Sequence, residues 1–230
     1  MMQNEEQIVE NYYTNHYRHV HSKGGLGLAN RYMHKKLEPK FGKPNKVVLE
    51  LGSGNFEHYN FVTAPYQKYI STDIRKPPSS LKKVFESAHS GNTFLIADAR
   101  KLNFDNSTFD LVISACLLVH LTDVISVIKE WQRVCKSSGE IRFVVPCDPG
   151  IILRIFRRLI SVPTAKKMKV DKKTYQLVNA IEHISSFNRT KTLVENAVSS
   201  SNTLKVTYFP FPFLRSWNLN AFAIFSIYVK

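Results

Sequence analysis

Cysteine is scarce in this chain of 230 residues: Cys116, Cys135 and Cys147 are odd in number and lack the spacing of a metal-binding set. That excludes a disulfide-stapled scaffold and a thiolate zinc site, and it predicts reduced thiols in the cytoplasm. No uncharged apolar run approaches the ~20 residues of a membrane-spanning helix. The first residues also lack the basic and apolar regions of a signal peptide, so a soluble protein is expected. Acidic side chains are short in supply, 18 against 32 Lys and Arg, which leaves a formal charge of +14. The surplus gathers in residues 151–191, where ten Lys/Arg face two Asp/Glu, and 10 − 2 gives +8. A phosphate-bearing substrate, an anionic lipid surface touched peripherally or a nucleic acid would suit that patch; so would a plain solvated face. There is no internal repeat and no low-complexity tract, and 43% hydrophobic content places the chain among globular proteins.

The chain is organised around residues 46–54, Lys-Val-Val-Leu-Glu-Leu-Gly-Ser-Gly. A β-branched apolar run ending in two glycines one residue apart reads as a buried parallel strand giving way to a tight, ligand-facing turn. Glycine suits the turn because a side chain would bar positive φ or hold the backbone off a ligand. Glu50 is a charge at the mouth of an apolar strand, where a ligand hydroxyl or amine is its natural partner. The dinucleotide fingerprint fails, since Glu57 stands where its third glycine belongs, and no Gly-Lys-Ser/Thr of a phosphate-binding loop occurs. Residues 67–72 read as a second strand ending in Asp73, about 20 positions on, where a ribose diol finds an acceptor. Residues 93–97 read as a third strand, followed by Asp98, and residues 109–114, Phe-Asp-Leu-Val-Ile-Ser, as a fourth.

Glu50-x-Gly52-x-Gly54, Asp73, Asp98 and the fourth strand, in this order, resemble class I S-adenosylmethionine-dependent methyltransferases, most clearly over residues 46–147. The resemblance implies an α/β fold: a Rossmann-like three-layer sandwich whose seven-stranded, mostly parallel sheet has an antiparallel last strand, with N-terminal cap helices. It implies S-adenosylmethionine as cofactor, held by Glu50, Gly52, Ser53 and Gly54 at the turn and by Asp73 and Ile74 after the second strand. Asp98 and the backbone of Ala99 would hold the base, and Ser114 and Cys116 would border the reacting methyl. Many members carry a third glycine where this chain has Phe56, which makes the turn bulkier.

Around that core, residues 5–21 read as a helix with Ile8, Val9, Tyr12, Tyr13, Tyr17 and Val20 at helical spacing. His16, His19 and His21 lie within it, but only 16 and 19 share a face and nothing completes a ligand set, so no metal is expected. Residues 22–27 read as a flexible hinge, residues 28–38 as a second helix and residues 56–63 as a helix after the turn. Residues 1–45 would then form the cap and residues 46–230 the catalytic domain, with a basic inserted lid at 150–188. Residues 151–160 are apolar on one side and basic on the other, the pattern of a lid or interfacial helix.

An oxygen acceptor needs a base that titrates near neutrality. His183, in a Glu-His segment similar to one in small-molecule and glycan methyltransferases, His58 beside the turn, and Asp148 after the fifth strand are the catalytic candidates. The acceptor expected is a small molecule or sugar methylated on O or N, with a phosphate-bearing glycan well suited to the basic segment. An RNA or protein methyltransferase, or a non-catalytic basic adaptor, is the alternative; the Asn/Asp-Pro-Pro-Tyr motif of nucleic-acid amino-methyltransferases is absent.

Overall fold

The computed structural model describes residues 2–39 and 46–230, and of residues 2, 3, 4, 6, 13, 17, 18 and 19 the backbone alone. The side chains of Tyr13, Tyr17 and His19 therefore lie outside the described residues. The apolar runs become strands β1 (Lys46–Leu51), β2 (Tyr66–Asp73), β3 (Asn92–Ile96), β4 (Phe109–Ala115), β5 (Cys135–Pro146), β6 (Thr203–Phe209) and β7 (Phe222–Tyr228). They form one seven-stranded sheet in the order 3-2-1-4-5-7-6. β1 to β5 pair in parallel, and β7 runs antiparallel to both β5 and β6. This is the Rossmann-like architecture expected, with β7 as the reversed strand.

Because side chains alternate across a strand, each central strand feeds two cores. Leu49 and Leu51 of β1 and Ile141, Phe143 and Val145 of β5 join one cluster, while Val48 and Val144 join the other. The first is covered by α5 (Val124–Val134) and α9 (Phe187–Ala197), the second by α3 (Gly24–Leu37) and α4 (Ser79–Ala88). Helix α5 presents a stripe at helical spacing, with Val124, Val127, Ile128, Trp131 and Val134 all buried, and Asp123 caps it by accepting from the Ser126 amide at 3.1 Å.

A third, smaller cluster lies in a helical layer that we call the cap. Val9, Tyr12 and Val20 from α1 (Met2–Tyr12) and α2 (Arg18–Ser22) pack with Ala165, Val170, Tyr175 and Val178 from α7 (Val162–Lys167), α8 (Lys172–Glu182) and the turn between them. The aromatic stretch at residues 5–21 and the basic stretch at residues 151–182 thus share one apolar cluster. Each is interrupted by a π-helical turn, Tyr13–Tyr17 in the first and Arg157–Ser161, after α6 (Ile151–Phe156), in the second.

Two local expectations differ. The Gly-rich stretch is a close-packed corner rather than a hinge: a Cβ on Gly27 would lie 2.4 Å from the Ser22 carbonyl oxygen, and α3 already begins at Gly24. The helix expected over residues 56–63 is a single 3-10 turn, His58–Phe61, because Pro65 follows too closely for a longer one.

Candidate active site

The chain leaves β1 through Gly52 and Gly54, at φ of +69° and +54°. Phe56 takes the same left-handed conformation, φ +64°, so the turn keeps its shape with a bulky residue at the third alternate position. Left-handed backbone costs a non-glycine residue on the order of 1–2 kcal/mol. The ring offsets it: Phe56 is buried, stacks on Phe85 at 4.4 Å and meets Phe94 edge-on at 5.7 Å.

Between this turn and the cap lies a cavity of about 430 Å³, a size that suits a small molecule. Glu50, Gly52, Ser53, Gly54 and Cys116 line its sheet side. Glu50 is buried and accepts from the Tyr69 and Ser71 hydroxyls, both at 3.1 Å. Burial still dominates and pushes its carboxyl up to about 7. Ser53 Oγ is buried against the cavity with no hydrogen-bond partner, and a buried hydroxyl in that state is completed by a ligand or water. The Cys116 residue is held at φ 58°, and burial pushes its thiol up to about 12, so it is an uncharged wall rather than a nucleophile.

The remaining predicted cofactor residues stand around that wall. Asp73 does not line the cavity; its carboxylate accepts from the Gly54 amide at 2.9 Å and the Arg75 amide at 2.8 Å, bracing the turn from behind. Ile74 beside it is 65% exposed, an apolar surface left open at the carboxyl end of β2. Asp98 forms a fork with Arg100, with Nε at 2.9 Å and Nη2 at 2.6 Å; these hydrogen bonds hold its carboxyl below the usual range. The buried Ala99 gives its carbonyl to the Trp131 indole at 3.2 Å, and Ser114 donates to the Leu51 carbonyl at 2.8 Å, tying β4 to β1. Glu50, Gly52, Ser53, Gly54 and Cys116 are therefore gathered on one wall, while Asp73, Ile74, Asp98, Ala99 and Ser114 are not among its lining. An orphaned hydroxyl, a left-handed glycine turn, a buried carboxyl and an open apolar surface on the same strand ends fit a nucleoside-type cofactor with a cationic end.

Histidines dominate the rest of the cavity: His21, His34, His58, His120 and His183 line it, five of the eight in the chain. They fall into two groups. His58, 1% exposed, has Nδ1 3.3 Å from Nδ1 of His34 and Nε2 3.3 Å from Glu38 Oε2. The last is an ion-pair distance with poor hydrogen-bond alignment. His34 stacks flat on Phe61 at 5.4 Å, and burial, with His58 beside it, lowers it to about 3. His58 thus lies between the neutral imidazole of His34 and the side chain of Glu38. The chain is fixed from below, because Arg142 on β5 donates to the carbonyls of Leu37 and Lys36 at 2.6 and 2.9 Å and so anchors the C-terminus of α3.

The second group joins Asp148, Arg157 and His183. Arg157 grips the Asp148 carboxylate with two nitrogens, both at 2.8 Å, and its Nη2 lies 3.2 Å from His183 Nδ1. Burial alone would raise Asp148, but the hydrogen bonds of His183 and Arg157 outweigh it and hold the carboxyl low. Nδ1 of His183 lies between the Arg157 guanidinium at 3.2 Å and the Asp148 carboxylate at 3.6 Å, and its tautomer decides which of the two it bonds. His120 sits edge-on to His183 at 5.3 Å, bonds the Glu182 carbonyl at 2.8 Å, and is lowered mainly by burial. His21 is lowered by burial to about 4. The three catalytic candidates are thus divided, His58 in one group and His183 with Asp148 in the other. His34, Glu38 and Arg157 were not among the predicted site residues. Glu38 and His34 lie four apart on α3, but nothing local to them signals a partner at position 58.

Residues 49–143 match the family described as a methyltransferase domain. The fold is similar to an S-adenosylmethionine-dependent methyltransferase from Mesorhizobium loti, with a TM-score of 0.55 and 14% identity over 85% of this chain and 95% of that one. It is also similar to phosphoethanolamine N-methyltransferase 2 of Haemonchus contortus in complex with S-adenosyl-L-methionine, with a TM-score of 0.62 and 12% identity over 98% of this chain and 57% of that one. The [4+2]-cyclase SpnF shares the fold at a TM-score of 0.63 and 10% identity, over 100% of this chain and 94% of the other. No curated protein matches in sequence.

Proposed function

From a chain that carries a class I S-adenosylmethionine-dependent methyltransferase domain, we propose that the acceptor is a small molecule or sugar methylated on oxygen or nitrogen beneath the cap. The observation that carries this reading is the cavity itself: its roof is made of α3, α6 and α8 side chains, which leaves room for a small polar molecule rather than a polymer strand. S-adenosylmethionine supplies a methyl already activated on a sulfonium, so the protein's task is alignment and proton removal. Glu50, Ser53 and the Gly52–Gly54 turn would receive its amino-acid end, Asp73 and Ile74 its sugar side, and Asp98 and Ala99 its base. For a hydroxyl acceptor, His58 is the proposed base: Glu38 orients its Nε2, and its Nδ1 would exchange the His34 contact for the acceptor hydroxyl to take the proton. For an amine acceptor no base is needed, and the Asp148–Arg157–His183 group would position the acceptor instead. Two of the three thiols are buried and all three are free, which fits a reducing, cytoplasmic compartment.

The test is an acceptor screen with labelled cofactor over sugar nucleotides, phosphorylated amines and free sugars, read by product mass, with RNA and protein fractions counted alongside. Transfer into a small molecule supports the reading; transfer into RNA or protein alone overturns it. With a hydroxyl acceptor, His58→Gln should lower kcat by roughly 10²–10⁴-fold, the usual range for general-base loss. An unchanged kcat would remove His58 from that role.

A further inference from the structure

A second cavity of about 620 Å³ opens on the far side of the Arg157–His183 wall. Four cations line it, Arg154, Arg157, Arg158 and Lys172, against one carboxylate, Asp148, so 4 − 1 leaves +3. Asp148 is already gripped by both terminal nitrogens of Arg157. Arg154, Arg158 and Lys172 have no acidic partner among the described residues. Arg154 and Arg158 are four apart on one helical segment, a like-charge arrangement that destabilises a helix unless an anion bridges it. The same segment sorts its side chains cleanly: Ile152, Leu153 and Phe156 face the first cavity, Arg154 and Arg158 the second. Arg157, Tyr175, Asn179 and His183 line both cavities and form the wall they share.

We propose that this second cavity is an anion subsite that holds a phosphate or diphosphate group of the acceptor, with Arg154, Arg158 and Lys172 as its ligands. The inference rests on the methyl-transfer reading for what the bound molecule then does, but not for the binding itself. Guanidinium forks match phosphoryl oxygens, and Lys172 adds a point charge from α8 on the opposite side. A molecule anchored there reaches past Arg157 and His183 and presents its nucleophile in the first cavity. The acceptor is then recognised at its charged end and methylated at its uncharged one.

The experiment titrates the full chain with inorganic pyrophosphate by calorimetry, and in parallel with S-adenosylhomocysteine. Saturable pyrophosphate binding is expected, weakened about tenfold or more by Arg158→Gln and by Lys172→Gln, as for loss of a charged hydrogen-bond partner. Arg158→Lys should recover part of it, and Lys205→Gln on the exposed edge strand should change nothing. Absence of saturable binding overturns the proposal, and so does equal weakening by Lys205→Gln, which would mark a diffuse response to net charge. Vesicles containing phosphatidic acid provide the lipid source of the same chemistry: binding to vesicles that needs Arg158 and Lys172, stronger than to pyrophosphate, assigns the group to a lipid-borne acceptor. All of these residues are surface-borne, and unchanged thermal melting of each variant verifies the fold. If S-adenosylhomocysteine fails to bind the unsubstituted chain, the methyl-transfer reading falls while the pyrophosphate result still decides the subsite.

Discussion

The sheet and the cap face each other across one cavity and are held together by different physics. The sheet buries two apolar clusters, one on each side, with Trp131, Phe109, Phe143 and Leu111 fully enclosed. The cap buries seven residues in a single cluster, and two π-helical turns interrupt its helices. What the cap contributes instead is chemistry: His21, His34, Arg157 and His183 reach the cavity from it or from the segment that follows it. π-turns recur at functional sites because they re-aim side chains at a cost in stability. A rigid floor and a lightly held roof to the cavity is the division that this contrast implies.

The largest test of that contrast is a pair of truncations. Trp131→Ala in the sheet core should cost about 3–5 kcal/mol and lower the melting of the whole protein. Val20→Ala in the cap cluster should cost only about 1–2 kcal/mol. In hydrogen exchange it should deprotect α1 and α8 while β4 amides stay near the unsubstituted level. If Val20→Ala unfolds sheet and cap together, the two are one cooperative unit and the division is lost.

Next in size is Glu50. Its folded value of about 7 stands above the ordinary 4.5, so its stabilising contribution is present below about pH 4.5 and is lost as pH rises through 7. Glu50→Gln should therefore stabilise the free protein at pH 8 by something on the order of 3 kcal/mol, with little change at pH 4.5. The same substitution should weaken S-adenosylhomocysteine binding. Equal melting shifts at both pH values would show that Glu50 is not strained by its burial.

Asp73→Ala is expected to weaken S-adenosylhomocysteine by about 1–3 kcal/mol, the loss of a charged hydrogen-bond partner. Unchanged affinity in calorimetry would confine Asp73 to bracing the turn. Around the cavity, His21, His34 and His120 are all lowered, which reverses the sign: their contribution is full above pH 6.5 and lost as pH falls, towards 4 for His21 and 3 for His34. His34→Phe should reduce the acid slope of stability by one proton, about 1.4 kcal/mol per pH unit between 6 and 4. A slope that His34→Phe leaves untouched would place the acid sensitivity outside the cap.

The floor was far more legible in the sequence than the roof. Continuous apolar runs leading to the Gly52–Gly54 turn and to Asp98 announce parallel strands and their carboxyl ends, because burial on both faces leaves little choice of residue. The cap gives no such signal. Helix α8 carries a clear start, Asp171 accepting from the Thr174 amide at 3.0 Å, yet its basic surface reads as an irregular insert. The Glu38–His58–His34 chain and the Asp148–Arg157–His183 group join residues that are 9 to 26 positions apart at each contact. No local periodicity encodes such pairings; they follow from how α3 and α6 lie over the sheet.

Phe56 has one more consequence. Since an aromatic stack, rather than a missing side chain, keeps the backbone left-handed at this position, the loop's shape is encoded in dihedral angles that a residue-letter pattern would overlook. It also places Phe85 and Phe94 in mechanical charge of the shape of the turn that follows β1.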